Sequence, residues 1–316
     1  MSQTVFAHLT DIHLPIRKDP PIISVLNKRI LGLLSWKTKR RARHREEAAD
    51  LIAADIHTQT PNAVLVSGDI TNIALPTEFR DAKTWLDERF KGLDVIFTPG
   101  NHDAYISTSW DETLGLLADR MTGQRQGENT DRPATAPNDF PYTRTQSSGR
   151  VAVIAANSAP PTLPGLASGK LGDKQLSKIS DTLEETANAD QFRLLMLHHP
   201  VNDDVVPLRK ALDDRSALRD VFLQKGVDLV IHGHTHRTDI NEVATPSGPA
   251  PVIGAGSASH PHGHGAYCPA RYNLIHIEET PSEWKLKIDV RELDPDTGKI
   301  NTAQTLHYAR PRASTG

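Results

Sequence analysis

The sequence predicts an α/β protein in which short buried strands alternate with amphipathic helices. Three observations lead there. Apolar runs of four to six residues recur along the chain, and each is bounded by Gly or Pro. Stretches with the period of a helix lie between them. The C-terminal third then changes character to strict alternation, which predicts a second, partly antiparallel sheet packed on the first.

The elements follow in order. VFAHLTDIH is a strand that ends in Asp11 and His13. Residues 44 to 57 place Ala48, Leu51, Ile52 and Ile56 on one helical face. AVLVSGD is a strand ending in Asp69. Pro76 suits a first helical turn and opens a helix with Phe79, Ala82, Leu86 and Phe90 inward. DVIFTPGNHD ends in Asn101, His102 and Asp103. Residues 123 to 141 are polar and Pro-rich and predict a long loop. Residues 173 to 187 and 213 to 225 are helical, and the strands between and after them, FRLLMLHHP and VDLVIHGHTH, end in His198, His199, His234 and His236. PVIGAGSAS, RYNLIHIEE and EWKLKIDVRE complete the strands, the last with Trp284, Leu286, Ile288 and Val290 alternating with polar residues. One domain over 1–316 with a basic amphipathic insertion at about 17–45 is the simplest division.

Composition excludes several classes. The net charge of −3 does not suit a polyanion binder, but the charge is uneven. Residues 17 to 45 carry ten Lys or Arg against one Asp, a local +9 that leaves −12 for the remainder of a chain totalling −3. The single cysteine, Cys268, allows neither an intrachain disulfide nor a Cys-rich zinc site. Residues 1–9 lack a basic start and an apolar core segment, so a first strand is expected there rather than a leader. No apolar run approaches the roughly 18 residues of a membrane span. The expected location is cytoplasmic, with membrane contact only at a surface.

In open α/β sheets ligands gather beyond the carboxyl ends of the strands. Five strands here end in Asp, Asn or His, giving Asp11, His13, Asp69, Asn101, His102, His198, His234 and His236. A single Gly-Asp or His-His pair is more often a turn or a satisfied polar pair; five such ends in sequence, with Gly-Asn-His-Asp and Gly-His-Thr-His among them, are a pattern. With these blocks the chain resembles the calcineurin-like metallophosphoesterase superfamily, whose order is D-x-H, G-D, G-N-H-D/E, H and G-H-x-H. The resemblance runs from Asp11 to His236. It implies two mixed β-sheets packed as a sandwich and flanked by helices, the four-layer metallophosphoesterase fold.

The resemblance also implies a binuclear centre. Asp69 would bridge two divalent cations, one taking Asp11, His13, Asp69 and His236, the other Asp69, Asn101, His198 and His234. Imidazole, carboxylate and amide donors without thiolate suit manganese, iron or zinc. The implied activity is phosphoester hydrolysis by a metal-bridging hydroxide, with His102 near the leaving group as general acid or charge stabiliser. Asp103 is expected to hold the His102 imidazole by accepting a hydrogen bond. His199 and Asn72 are candidates to face the substrate, with a local backbone carbonyl as the alternative partner of His199. His260, His262 and His264 read as a solvated loop beside the site, with a third metal as the alternative.

Departures narrow the substrate. GDITNIALP lacks the arginine that follows Gly-Asp in the protein phosphatases, and Asn72 stands where purple acid phosphatases carry an iron-binding tyrosine. The stretches around Asp69, Asn101 and His198 are most similar to bacterial cyclic-nucleotide and glycerophosphodiester phosphodiesterases, so a small phosphodiester is the expected substrate. In the insertion, Ile22, Ile23, Leu26, Ile30, Leu33 and Leu34 form an apolar stripe, with Ser24, Asn27, Lys28 and Ser35 opposite and KTKRRARHR following. It reads as a cover packed on the protein or a contact between copies in a homo-oligomer. The sharper alternative is a lid or surface for an anionic membrane, serving a lipid-linked phosphoester or pyrophosphate. Nucleic acid suits the cations, but Trp36 is the one aromatic there. A metal-stabilised scaffold without catalysis is the non-enzyme reading, and the chain keeps every ligand that such a protein tends to lose.

Overall fold

A computed structural model describes residues 3–128, 130–263, 265 and 267–312. In chain order the strands are β1 (Gln3–Leu9), β2 (Ala63–Val66), β3 (Asp94–Phe97), β4 (Thr122–Gly123), β5 (Arg132–Pro133), β6 (Tyr142–Gln146) and β7 (Val151–Ala155). They continue with β8 (Phe192–Met196), β9 (Leu229–His232), β10 (Ile240–Val243), β11 (Ala250–Gly254), β12 (Arg271–Glu279), β13 (Glu283–Leu293) and β14 (Ile300–Pro311). The helices are α1 (Ile22–Val25), α2 (Arg29–Ser35), α3 (Arg41–Arg43), α4 (Glu46–Gln59), α5 (Pro76–Arg89), α6 (Asp173–Asn188) and α7 (Arg215–Lys225).

Two six-stranded mixed sheets run β14-β13-β12-β1-β2-β3 and β10-β11-β9-β8-β7-β6. Their inner faces share one core, in which Phe6, Leu65 and Ile275 of the first sheet join Val153, Leu194 and Ile231 of the second. Ile52 and Ile56 of α4 and Phe79 and Leu86 of α5 extend that core on the side of the first sheet. Leu176 and Ile179 of α6 and Leu218 and Phe222 of α7 cover the outer face of the second. The fold is therefore the four-layer sandwich. Among the described residues no helix is long and apolar enough to cross a membrane.

Local chemistry sets the element ends. Pro76 begins α5, and Glu78 in its first turn accepts the backbone N–H groups of Asn72 at 2.6 Å, Ile73 at 3.2 Å and Leu75 at 3.0 Å. That carboxylate fixes the loop leading away from Asp69 and satisfies donors the helix leaves open. Glu46 and Glu47 in the first turn of α4 complement its dipole.

Four expectations change. Of the three C-terminal strands expected there, PVIGAGSAS supplies β11 of the second sheet, but the other two do not join it. β12 pairs antiparallel with β1, and β13 and β14 add beyond it. The alternation of Trp284, Leu286, Ile288 and Val290 does bury one face, but its work is to convert β1 from an exposed edge into a central strand. The second sheet instead gathers β6 to β11 from the middle of the chain. Leu51 is 40% exposed, and Ala49 and Ala53 take its place on the buried face of α4. Within 123–141, β5 pairs with β4, and Arg132 binds Glu128 at 2.9 Å and Asp139 at 3.1 Å, so that stretch is a braced hairpin.

The fourth concerns the insertion. The chain breaks between α1 and α2 and continues past Ser35 as a π-type turn over Trp36–Arg40, so no single helix carries the apolar stripe. The buried positions of the insertion are Val25, Arg29, Gly32, Trp36 and His44. Gly32 lies so close to the body of the protein that a Cβ there would sit 2.5 Å from Ile73 Cγ2. Arg29 donates through Nε to the Ile73 carbonyl at 2.8 Å and through Nη2 to that of Ala74. A guanidinium finding backbone acceptors, and a glycine allowing close approach, outcompete the aliphatic stripe for the buried face.

Candidate metal centre

The expected residues meet where strands of both sheets end. The loop after β1 runs beside the loop after β2, with Asp11 N–H to Gly68 O, His13 N–H to Asp69 O and Leu14 N–H to Ile70 O, each at 3.0 Å. A bridge between Thr10 and Ser257 ties the first sheet to the loop after β11. The glycines of the motifs are there for space. A Cβ on Gly100 would lie 2.2 Å from Asp69 Oδ1, and one on Gly233 would lie 2.0 Å from Thr10 Oγ1.

Backbone strain concentrates here. Asp11, His13, Asp69, His234 and His236 have φ of 52°, 44°, 57°, 71° and 56°. Left-handed backbone is uncommon for residues with a Cβ and persists where surroundings over-determine it. Five of the seven expected ligands share it, so the chain bends sharply after β1, β2 and β9, where these side chains turn inward.

The side chains fall into two groups around Asp69. Asp11 Oδ1 lies 3.0 Å from His236 Nε2 and 3.8 Å from His13 Nε2. On the other side, Asn101 Oδ1 lies 3.3 Å from His198 Nε2 and 2.9 Å from His234 Nδ1. Between them, Asp69 Oδ2 is 3.8 Å from His13 Nε2 and 3.3 Å from His198 Nε2, while its Oδ1 accepts the His102 N–H at 2.7 Å. His13 and His198 each commit Nδ1 to a backbone carbonyl, Thr71 at 3.0 Å and Ser67 at 2.7 Å, which points Nε2 inward as a donor atom for a metal.

The donor set fits cations. His234 Nε2 is buried and makes no hydrogen bond, although buried polar atoms are nearly always satisfied. Asp11, His13 and His236 bring ligand atoms within 4.8 Å of one another, and so do Asp11, Asp69 and His198. Burial, then neighbouring imidazoles, hold His13 and His234 well below the usual pKa, so both are neutral and offer lone pairs. For His198 burial also disfavours the cation, but the Asp69 carboxylate outweighs it and lifts the pKa to about 9. The two carboxylates stay ionised despite burial because the imidazoles face them.

Asp103 does not orient His102. Its carboxylate accepts the N–H groups of Asp69 at 2.7 Å, Thr71 at 2.9 Å and Gly100 at 2.9 Å, stapling two loops together. The His102 ring instead donates from Nδ1 to the Asn72 carbonyl at 2.6 Å. Burial and then the Arg40 cation lower its pKa to about 4. His199 and Asn72 are buried and turned into the protein, away from the cavity. His199 hydrogen-bonds Ser158 Oγ at 2.9 Å and the Ala167 carbonyl at 3.2 Å, and the Asn72 amide donates to the Leu14 carbonyl at 2.7 Å. Of the three loop histidines, His260 is buried at 2% and its ring centroid is 5.0 Å from that of His44. His262 is exposed, and His264 lies outside the described residues.

A cavity of about 340 Å³ opens over the cluster. Its wall includes residues that the motifs did not mark: Arg40, His44, Tyr105, Lys210 and Tyr267. Arg40 Nη1 is 3.0 Å from His102 Nδ1 and 3.1 Å from Nε2, and no carboxylate pairs with this guanidinium among the described residues. His44 donates or accepts at Ser259 Oγ, 2.8 Å away, with its ring 4.5 Å from that of His13. Tyr105 stacks on His102 with centroids 5.7 Å apart. The only sequence signal for Arg40 and His44 was their place in the basic run, which did not distinguish them from their solvated neighbours.

A family model described as calcineurin-like phosphoesterase matches residues 4–238. No curated protein matches the sequence. Among solved structures, a dimetal phosphatase from Danio rerio is similar, with a TM-score of 0.59 and 17% identity over 96% of this chain and 98% of that one. A purple acid phosphatase from yellow lupin seeds gives 0.55 and 10% identity over 97% of this chain, which spans 53% of the lupin chain. The NAD nucleotidase of Haemophilus influenzae gives 0.51 and 12% over 98% of this chain and 56% of that one. At these identities the likeness is one of fold.

Proposed function

The chain belongs to the calcineurin-like phosphoesterase family, and from that membership we propose a metal-dependent hydrolase of small phosphodiesters. One observation carries the reading: Asp11, His13 and His236 converge on one side of Asp69, and Asn101, His198 and His234 on the other. These residues would hold two divalent cations of the Mn, Fe or Zn kind through the shared Asp69 carboxylate. Such cations supply Lewis acidity toward a phosphoryl oxygen and an activated water.

The chain's own groups do the rest. Arg40 offers a guanidinium, already desolvated on one side, to a non-bridging phosphoryl oxygen, and a planar fork suits that geometry. It stands in for the arginine missing after Gly68-Asp69, arriving from the insertion instead of the β2 loop. His102, steered by the Asn72 carbonyl and stacked on Tyr105, faces the cavity beside Arg40, and with Nδ1 committed to that carbonyl it would donate to the leaving oxygen from a protonated Nε2. The cavity extends from Tyr105 and Gly32 on one side to His260 and Tyr267 on the other, which leaves room for both arms of a diester.

The test is hydrolysis by the Mn-loaded protein of bis(p-nitrophenyl) phosphate against p-nitrophenyl phosphate. The diester should turn over faster, and His102→Ala should lower kcat by about 10²–10⁴-fold with metal retained. Preference for the monoester removes the diester reading. No hydrolysis of monoester, diester or pyrophosphate by protein carrying two metals removes the enzyme reading.

A further inference from the structure

Six large aliphatic side chains of the insertion, Ile22, Ile23, Leu26, Ile30, Leu31 and Leu34, project into solvent, the first three 77%, 82% and 69% exposed. They are not scattered over the molecule. Leu163, Leu166 and Leu208 are also exposed; the segment of Leu163 and Leu166 meets the insertion, and that of Leu208 meets this segment in turn. Lys28 Nζ donates to the Thr162 carbonyl at 2.9 Å and to its hydroxyl at 2.8 Å, and Ala167 N–H donates to the Arg209 carbonyl at 2.9 Å. The same three segments contribute Leu31, Leu166 and Lys210 to the wall of the cavity above the metal cluster. Leu31 and Leu166 therefore stand at the cavity wall, and the other apolar tips lie on the segments that carry these wall residues.

Cations accompany them. Lys39, Arg41 and Arg209 are exposed and pair with no carboxylate among the described residues. The insertion's one carboxylate, Asp19, is taken by Lys37 at 2.6 Å. Contiguous exposed aliphatic surface with unpaired cations matches the interface of an anionic bilayer, where acyl chains receive the tips and headgroups the charges. A second copy fits less well, because a self-complementary contact brings those cations against their own kind. Nucleic acid offers the charges but has no use for branched aliphatic tips, and Trp36 is buried.

We propose that this face docks on an anionic lipid bilayer and presents the mouth of the cavity to phosphoesters carried by lipid headgroups. The docking stands on surface geometry alone. Its second half, the headgroup substrate, rests on the phosphoesterase reading above.

The experiment is vesicle flotation of the full chain with phosphatidylcholine alone and with phosphatidylcholine mixed with phosphatidylglycerol. The protein should float with the mixed vesicles at about 1 mM lipid, at least about tenfold more than with phosphatidylcholine, and less at about 0.5 M salt. Ile22→Ser/Ile23→Ser/Leu26→Ser and, separately, Lys39→Glu/Arg41→Glu should each lower binding about tenfold or more. Both variants should hydrolyse a soluble phosphodiester as the wild type does, which shows that they fold. Absence of flotation, undiminished flotation of the serine variant, or a wild-type dimer that the serine variant dissolves overturns the proposal. Flotation reads no turnover, so an inactive enzyme would overturn the phosphoesterase reading and leave docking intact.

Discussion

Arg40 Nη1 lies within 3.1 Å of both ring nitrogens of His102, a cation from the insertion set against the imidazole of the Gly-Asn-His-Asp loop. With Nδ1 of His102 donating to Asn72, the ring's remaining lone pair is at Nε2, and Arg40 is its donor. A phosphoryl oxygen entering the cavity would compete for the same guanidinium. Arg40→Ala should therefore lower kcat/KM about 10–100-fold, about 1.4–2.7 kcal/mol of lost charge-assisted hydrogen bonding, with metal content unchanged. Steady-state kinetics beside metal analysis checks it, and Arg40→Lys should recover only part because it cannot present a fork.

The shared carboxylate makes a distinct prediction for metal content. His236→Ala removes a donor from one group only, whereas Asp69→Ala removes the oxygen that both groups approach. Elemental analysis after reconstitution should find about one metal per chain in the first variant and close to none in the second. Two metals retained by Asp69→Ala would remove its bridging role.

Chelation should destabilise the wild type. A cation that binds only the folded chain, present at about 100 times its dissociation constant, adds about 2.7 kcal/mol. Stripping it should lower the thermal midpoint, and Mn should restore it, whereas Asp69→Ala should show neither change.

Gly100→Ala tests the close packing of the two loops. Its Cβ would meet Asp69 Oδ1 at 2.2 Å and Asp69 N at 2.6 Å, and one of these is backbone that cannot swing away. A loss of about 1–3 kcal/mol of stability is expected, with a larger relative loss of metal affinity. Chemical denaturation and metal titration separate the two.

His8 sets a pH dependence. It is buried on β1 with Nε2 2.9 Å from Ser67 Oγ, and burial, then His232, lower its pKa from 6.5 to about 3, with Asp11 opposing. The folded value lies below the unfolded one, so its contribution is complete above about pH 6.5 and is lost as pH falls toward 3. At pH 5 the loss is about 2 kcal/mol. His8→Gln, which keeps a neutral partner for Ser67, should flatten the difference between denaturation midpoints at pH 7 and pH 5 by about that amount. An unchanged difference would remove His8 as the cause.

The seven ligand candidates were legible because each needs a reactive residue type at a strand end, and both conditions are written locally. The strands themselves were legible for the same reason. Which sheet β12 and β13 join was not, because alternation marks a buried face and says nothing of the neighbour that buries it. Asp103 was misread because adjacency to His102 suggests a contact, while the left-handed turn at Asp69 brings three N–H groups to that carboxylate first. Of the two readings of the insertion, the packed cover fails for its apolar stripe, most of which faces solvent. A periodic stripe predicts the buried face only when the helix is continuous, and here a break before Arg29 and a glycine at 32 let a different face seat against Ile73. Arg40 carries no local signature, and only the path of the chain picks it out from five neighbouring cations.

The anchoring of the insertion has an evolutionary reading. The seven ligands expected from the motifs all come from strand-end loops, and none of them from residues 17–45. The insertion in turn rests on the body through Val25 and Trp36 against Ile73 and Leu75, and through Arg29 on two backbone carbonyls that any side chains at 73 and 74 would present. Such a plug asks little of its socket. Exchanged as a cartridge, it would carry the Arg40 guanidinium with it, so the clientele and the speed of turnover would change together while the expected metal ligands stay.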